Sequence, residues 1–177
     1  MPQEIISAAS AQFARPGDTT AYADNDLIAN SVTAASVVPL VFRFATNARF
    51  LQIDRALLRK SSTGVTNPAF RLNLFSALPT IATNGDNSAM SGNTSGAANF
   101  IGGLQTSGVV SAFADGSVVN LLPMFGASPF PLPLLLPTNG FINNGELVLY
   151  GLLEAKAAYA PGNAETFNVT LFARPLQ

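Results

Sequence analysis

Apolar and polar side chains alternate along Phe167-Asn-Val-Thr-Leu-Phe-Ala-Arg174, with Phe167, Val169, Leu171 and Ala173 on one face and Asn168, Thr170 and Arg174 on the other. Successive side chains of a β-strand point to opposite faces, so this period of two predicts a half-buried antiparallel strand. Phe70-Arg-Leu-Asn-Leu-Phe75 repeats it, with Phe70, Leu72 and Leu74 inward and Arg71 and Asn73 outward. Gly145 to Glu154 (GELVLYGLLE) alternates less cleanly, because Val148, Tyr150 and Leu152 on its second face are also apolar. That pattern predicts a strand covered on both faces, by its own chain or by a neighbouring subunit. Further strands are predicted at Leu27 to Thr33, Val37 to Thr46, Phe50 to Lys60, Ala98 to Gln105 and Ser117 to Leu122. Helical periodicity is nearly absent, and its best instance, Glu154 to Ala158 (EAKAA), amounts to one turn.

Turn signals separate these runs: Arg15-Pro-Gly-Asp18, Thr63-Gly64, Asn84-Gly-Asp-Asn87, Asp115-Gly116, Asn139-Gly140, Asn143-Asn-Gly145 and Pro161-Gly-Asn163. Short strands between closely spaced turns predict an all-β fold, an antiparallel β-sandwich of jelly-roll type. The 177 residues suit a single domain spanning 1–177. Three segments stand apart from the sandwich pattern. Residues 1–14 are expected to form an extended N-terminal arm, and the small, polar, Gly-rich start of 84–106 predicts a long surface loop. Residues 121–137 (LLPMFGASPFPLPLLLP) are apolar and carry five prolines, which break any membrane-spanning helix and favour an extended, proline-rich arm.

Composition narrows the function. Charged residues make up 11% of the chain, against about 25% in ordinary soluble domains, so other protein is expected to cover part of this surface. A net charge of −1 provides no basic field for phosphates, which disfavours nucleic acid and charged membrane surfaces as partners. The N-terminal residues have neither the basic region nor the apolar run of a cleaved signal. Without Cys or His the chain has no thiolate nucleophile, no zinc-thiolate set and no Ser-His-Asp arrangement.

The remaining candidates for chemistry read more simply as structure. Asp18, Asp24, Asn25 and Asp26 gather oxygen ligands, but they lack the spacing of a calcium loop, and Asp and Asn in turns bond their own backbone. Paired carboxylates could serve a glycosidase, yet Asp86, Asp115, Glu146 and Glu165 fall in turns or at strand ends, where solvated roles are usual. Gly102-Gly103 opens no helix and so forms no phosphate cradle. No catalytic residue, metal or cofactor is expected, and the chain reads as a non-enzyme. Basic residues concentrate in the first half: residues 1–80 hold seven basic and five acidic residues, and 81–177 hold two and five. Arg43 and Arg55 lie within apolar runs, which predicts for each a buried or interfacial carboxylate partner. The expected partner-contact residues are Ile5, Ile6 and Phe13 of the N-terminal segment, Phe130, Leu132, Leu134, Leu135 and Leu136 of the proline-rich arm, and Arg43 and Arg55.

Three segments carry a resemblance: Thr20 to Asn30 (TAYADNDLIAN), Phe70 to Thr80 (FRLNLFSALPT) and Ala158 to Leu171 (AYAPGNAETFNVTL). Their shared positions are Tyr22, Asp26 and Ile28; Leu72, Leu74, Phe75 and Pro79; and Tyr159, Pro161, Glu165, Thr166, Phe167, Val169 and Leu171. In this order they resemble the capsid decoration, or cement, proteins of tailed bacteriophages. The resemblance implies a virion protein on the outer surface of the capsid, partnered by the major capsid protein, which bridges neighbouring shell subunits without a catalytic site. It also implies a homo-oligomer, with a trimer favoured. The alternative is a carbohydrate-binding or receptor-binding β-sandwich of a phage tail component, which would present exposed aromatic platforms. Against it, the chain has no Trp and only three Tyr.

Overall fold

The computed structural model describes residues 6–46, 48, 50–63, 69–81, 85–90, 98–124, 134–137, 142–143 and 145–176, with backbone alone at 108–109, 134–137 and 142–143. Among the described residues eleven strands follow one another: β1 (Ser7–Ala14), β2 (Leu27–Ile28), β3 (Leu40–Ala45), β4 (Phe50–Lys60), β5 (Phe70–Phe75), β6 (Phe100–Phe113), β7 (Gly116–Met124), β8 (Leu134–Pro137), β9 (Ile142–Asn143), β10 (Glu146–Ala155) and β11 (Thr166–Leu176). All join one antiparallel sheet in the order β1-β11-β4-β7-β6-β5-β10-β2, with β3 and β9 also on β10 and β8 also on β4. Because β1 at one end lies against β3 at the other, the sheet curls into a half-barrel, an arrangement consistent with a β-sandwich.

The strand alternation read from sequence is the alternation of burial on β11, whereas on β5 Asn73, expected outward, is only 3% exposed and donates to Glu154 at 2.8 Å. On β11 every second residue from Phe167 to Ala173 is buried, and on β5 Phe70, Leu72 and Leu74 are buried. These side chains meet Phe42 and Phe44 of β3, Leu51, Ile53 and Leu58 of β4, and Leu147 and Leu149 of β10 in one core. A single large core residue of this kind contributes about 1.5–3 kcal/mol by leaving water. The second face of β10 is covered by its own chain: Leu152 packs with Leu27, Ala29 and Phe75, and Tyr150 lies against them.

β4 shows how one strand keeps its apolar residues inward despite a sequence that changes phase. Leu51 and Ile53 are buried at odd positions, and Ala56, Leu58 and Lys60 at even ones. A β-bulge absorbs the change: Ile53 pairs with Ala173 and Arg55 with Phe172, so Asp54 is the extra residue. The bulge turns both Asp54 and Arg55 to the outer face.

Several expectations are corrected here. The N-terminal segment is no free arm from Ser7 onward, since β1 pairs with β11 from Ser7↔Ala173 to Ala14↔Thr166. Its Ala- and Ser-rich sequence carries little strand preference, and its partner strand supplies the order. Within 84–106 the strand expected at Ala98 to Gln105 is found as the start of β6, the described residues before it are not a free loop, and 84 and 91–97 lie outside the described residues. Residues 100–106 belong to β6, and Gly85 to Met90 fold onto Asn25 to Val32 through backbone bonds that include Gly85 N to Val32 O and Asn87 N to Leu27 O, both 2.9 Å. The strand expected at Leu27 to Thr33 is limited to Leu27–Ile28. Glu154 and Ala155 end β10 and start no helix. Of the proline-rich arm, Leu134 to Pro137 pair in-chain with Phe50 to Ile53, and residues 125–133 lie outside the described residues.

Candidate functional site

A buried polar network sits at the end of the core where β1, β4 and the β10–β11 connection meet. The chain leaves β1 into Arg15, whose backbone N–H donates to Glu165 O at 3.0 Å. Tyr22 and Tyr159 pair as an isolated antiparallel bridge and stack ring on ring, with centroids 6.1 Å apart and planes 15° from parallel. Phe70 and Tyr159 meet edge to face with centroids 5.2 Å apart, and Phe13 stacks on Phe167 at 5.5 Å. Two buried ion pairs flank this aromatic stack.

On one side the Arg15 guanidinium donates to the Tyr22 hydroxyl (2.7 Å), Asp18 (2.9 Å) and Asp86 (3.2 Å). The Tyr22 hydroxyl donates onward to Asp86 at 2.7 Å, and the same carboxylate oxygen accepts the Ala29 N–H at 2.8 Å. On the other side Lys60 Nζ donates to the Tyr159 hydroxyl (3.0 Å) and Glu165 (3.3 Å). The Tyr159 hydroxyl and the Gly162 N–H donate to the second Glu165 oxygen at 2.5 and 3.0 Å. The side chains of Arg15, Asp86, Lys60 and Glu165 are at most 2% exposed.

Burial and these bonds set the protonation states. Burial, then the hydrogen bond and charge of Asp86, push the Tyr22 phenol well above its ordinary value; burial and Glu165 do the same to Tyr159. Burial lowers the Lys60 ammonium, and Glu165 offsets only part of that. For Arg15 burial disfavours the cation, but Asp18, Tyr22 and Asp86 outweigh it and hold the guanidinium above its ordinary value. Asp18 is held low by the Thr20 N–H and Arg15. Two neutral phenols therefore bridge two satisfied ion pairs. Breaking such a pair leaves an uncompensated charge and costs about 3–5 kcal/mol. Asp86 and Glu165, expected in solvated turns, are instead the anionic centres of this closed network.

A pocket formed by described residues lies elsewhere, between Phe13 of β1, the segment from Ile28 to Leu40, and β10. Its cavity is about 10 Å³, roughly the space of one water, and it is lined only by apolar residues, among them Phe13, Ile28, Val38, Leu40 and Leu152. Small-molecule sites usually offer about 300–1,000 Å³ with a few placed polar groups. Among the described residues no group of three or more acids is arranged to hold a metal ion. Asp18, Asp24 and Asp26 are engaged in turns: Asp18 accepts Thr20 N–H, Asp26 accepts Ala23 N–H, and Lys156 pairs with Asp24.

The expected contact residues are scattered. Ile6 is 62% exposed just before β1, whereas Phe13 is half-buried against the core. Arg43 is exposed and bonds Glu146 at 2.7 Å on the surface, so its carboxylate partner is neither buried nor intermolecular. Arg55 has no carboxylate partner among the described residues, contrary to expectation. The bulge lays its guanidinium over the Phe172 ring at 3.9 Å, and Nη1 donates to Asn120 at 3.3 Å. Leu134, Leu135 and Leu136 have their backbone in β8, while Ile5, Phe130 and Leu132 lie outside the described residues. Compared with models of known protein families and with curated proteins, the chain matches none.

Proposed function

We propose that this chain is a non-enzymatic structural protein of a tailed-phage particle, which binds the outside of the capsid and holds neighbouring subunits of the major capsid protein together. The observation that carries this reading is where the three resembling segments meet. Tyr22 of the first segment stacks on Tyr159 of the third, and Phe70 of the second touches both Tyr159 and Phe167. Glu165 anchors the buried pair beside them. Of the shared positions, Tyr22, Ile28, Leu72, Leu74, Tyr159, Phe167, Val169 and Leu171 lie in the one core and so belong to the frame, as expected where relatives have a scaffold in common. Low charge and large apolar residues left in solvent, including Val38 at 65% and Ile6 at 62%, support a surface that other protein covers. The oligomer, a trimer by resemblance, is part of the proposal. The glycan-binding alternative draws less support, since Tyr22 and Tyr159 are buried and Tyr150 is packed beside Leu152.

The test is the copy number of this chain in purified particles, measured against the major shell protein by quantitative mass spectrometry. A number commensurate with the shell lattice is the expected result. A few copies per particle would move the chain to the tail or neck and refute the assignment.

A further inference from the structure

The register places the outward residues of β1, β11, β4 and β7 in rows across one sheet face. Gln12 lies beside Asn168, Arg59 and Val118; Ser10 beside Thr170, Leu57 and Asn120; Ala8 beside Phe172 and Arg55. Apart from Gln12, the outward side chains on β1 are small, and Ser10 bonds Thr170 across the ladder at 2.8 Å, so most of this side of the face is low. Its charges are Arg55, Arg59, and Arg174, which bonds Asp54 at 2.6 Å. Among the described residues this face holds these three arginines and one aspartate, in a chain whose net charge is −1. Among the described residues neither Arg55 nor Arg59 has a carboxylate partner. Arg59 is exposed, and Arg55 is already fixed by Phe172 and Asn120.

We propose that this face, with Arg55 and Arg59 as its cations, docks on a flat protein surface that presents carboxylates, and that it is the side by which the chain sits on the shell. The proposal rests on the shell-binding reading above. Four strands about 4.8 Å apart and some ten residues long at about 3.4 Å each cover roughly 650 Å². That approaches the roughly 800 Å² that each partner gives to a stable interface. An arginine held flat on an aromatic ring loses little further freedom when a carboxylate meets it, so the contact begins with part of its ordering cost removed. Other occupants fit less well. Two copies placed face to face would set Arg55 and Arg59 against like charges, and two free cations would release only about two counterions from a nucleic acid.

The experiment measures binding of the full chain to shells assembled without it, at salt from about 50 to about 500 mM. The variants are Arg55→Glu with Arg59→Glu, Arg59→Glu alone, and Phe113→Ser on the β6–β7 hairpin. The wild type is expected to bind and weaken as salt rises, the double variant to bind roughly tenfold more weakly or worse, and Phe113→Ser to bind normally. Thermal melting checks the fold; should the double variant unfold, Arg59→Glu, at an exposed position, decides. Normal binding by the arginine variants, with no salt dependence in the wild type, would overturn the docking face and leave the shell reading standing. No binding by the wild type would overturn both. A wild-type dimer in sedimentation that Arg59→Glu disperses would assign the face to a second copy and also overturn the proposal.

Discussion

Raising the pH from about 9 to about 11 titrates tyrosine in the unfolded chain, where its pKa is about 10, while Tyr22 and Tyr159 keep their protons in the fold. Over that interval the unfolded state binds fewer protons than the native state, so stability falls as pH rises. Stability from a raised phenol pKa is fully present below pH 10 and is lost above it. With the native phenol neutral throughout, each tyrosine removes about 1.4 kcal/mol between these two pH values, and the pair about 2.8 kcal/mol. Lys60 acts in the opposite sense. Its native pKa lies below the unfolded value of 10.5, so its contribution rises with pH between the two and is complete above the higher one. The assay is urea unfolding of the wild type, Tyr22→Phe and Tyr159→Phe at both pH values. Each phenylalanine variant starts less stable, but its further loss on going to high pH should be smaller by about 1.4 kcal/mol. Tyr22 is the cleaner probe, because its hydroxyl bonds Arg15 and Asp86 and leaves Lys60 untouched. A loss in Tyr22→Phe equal to that of the wild type would refute the reasoning, because Tyr22 would then ionise as easily in the fold as out of it.

Two further perturbations address the same end of the core. Glu165→Gln leaves the Lys60 ammonium buried without its anion and should cost about 3–5 kcal/mol by chemical denaturation, whereas replacing Lys60 with Met and Glu165 with Leu together should recover most of that; equal losses would mean that packing, not charge, dominates. Gly85→Ala would bring a Cβ to 2.0 Å from Ser31 O, a backbone atom that cannot swing aside. The loop carrying Asp86 must then shift, with an expected loss of about 1–3 kcal/mol read by thermal melting, and an unchanged melting temperature would show that the loop is not held as described.

Strands whose order comes from their own side chains were legible in the sequence. β4 begins and ends where its pattern does, and the inward residues of β5 and β11 follow from alternation alone. β1 was not legible, because Ser-Ala-Ala-Ser carries no strong periodicity and its strand form is imposed by β11. The two pairs of carboxylate and cation escaped for a related reason. Asp86 lies in Asn-Gly-Asp-Asn, a sequence that reads as an exposed turn, and only the fold brings Arg15 to it from 71 positions away. One signal was available: Lys60 sits in phase with Ala56 and Leu58, so an ammonium was already marked for the inner face and required an anion there. The placement of Arg55 depended on a bulge, which a strict period of two cannot reveal.

The β1–β11 ladder also dictates an order of events during synthesis. Ser10 meets Thr170 across 160 positions of chain, so the first described strand to leave the ribosome waits for the last. At about 5–20 residues per second that wait lasts roughly 8–32 s. Through it β4 lacks β11, the neighbour it pairs with from Lys60 to Phe50. A newborn chain therefore leaves these strands without their partner until β11 has been made, and synthesis halted before Thr166 would leave a molecule with two strands open to any neighbour.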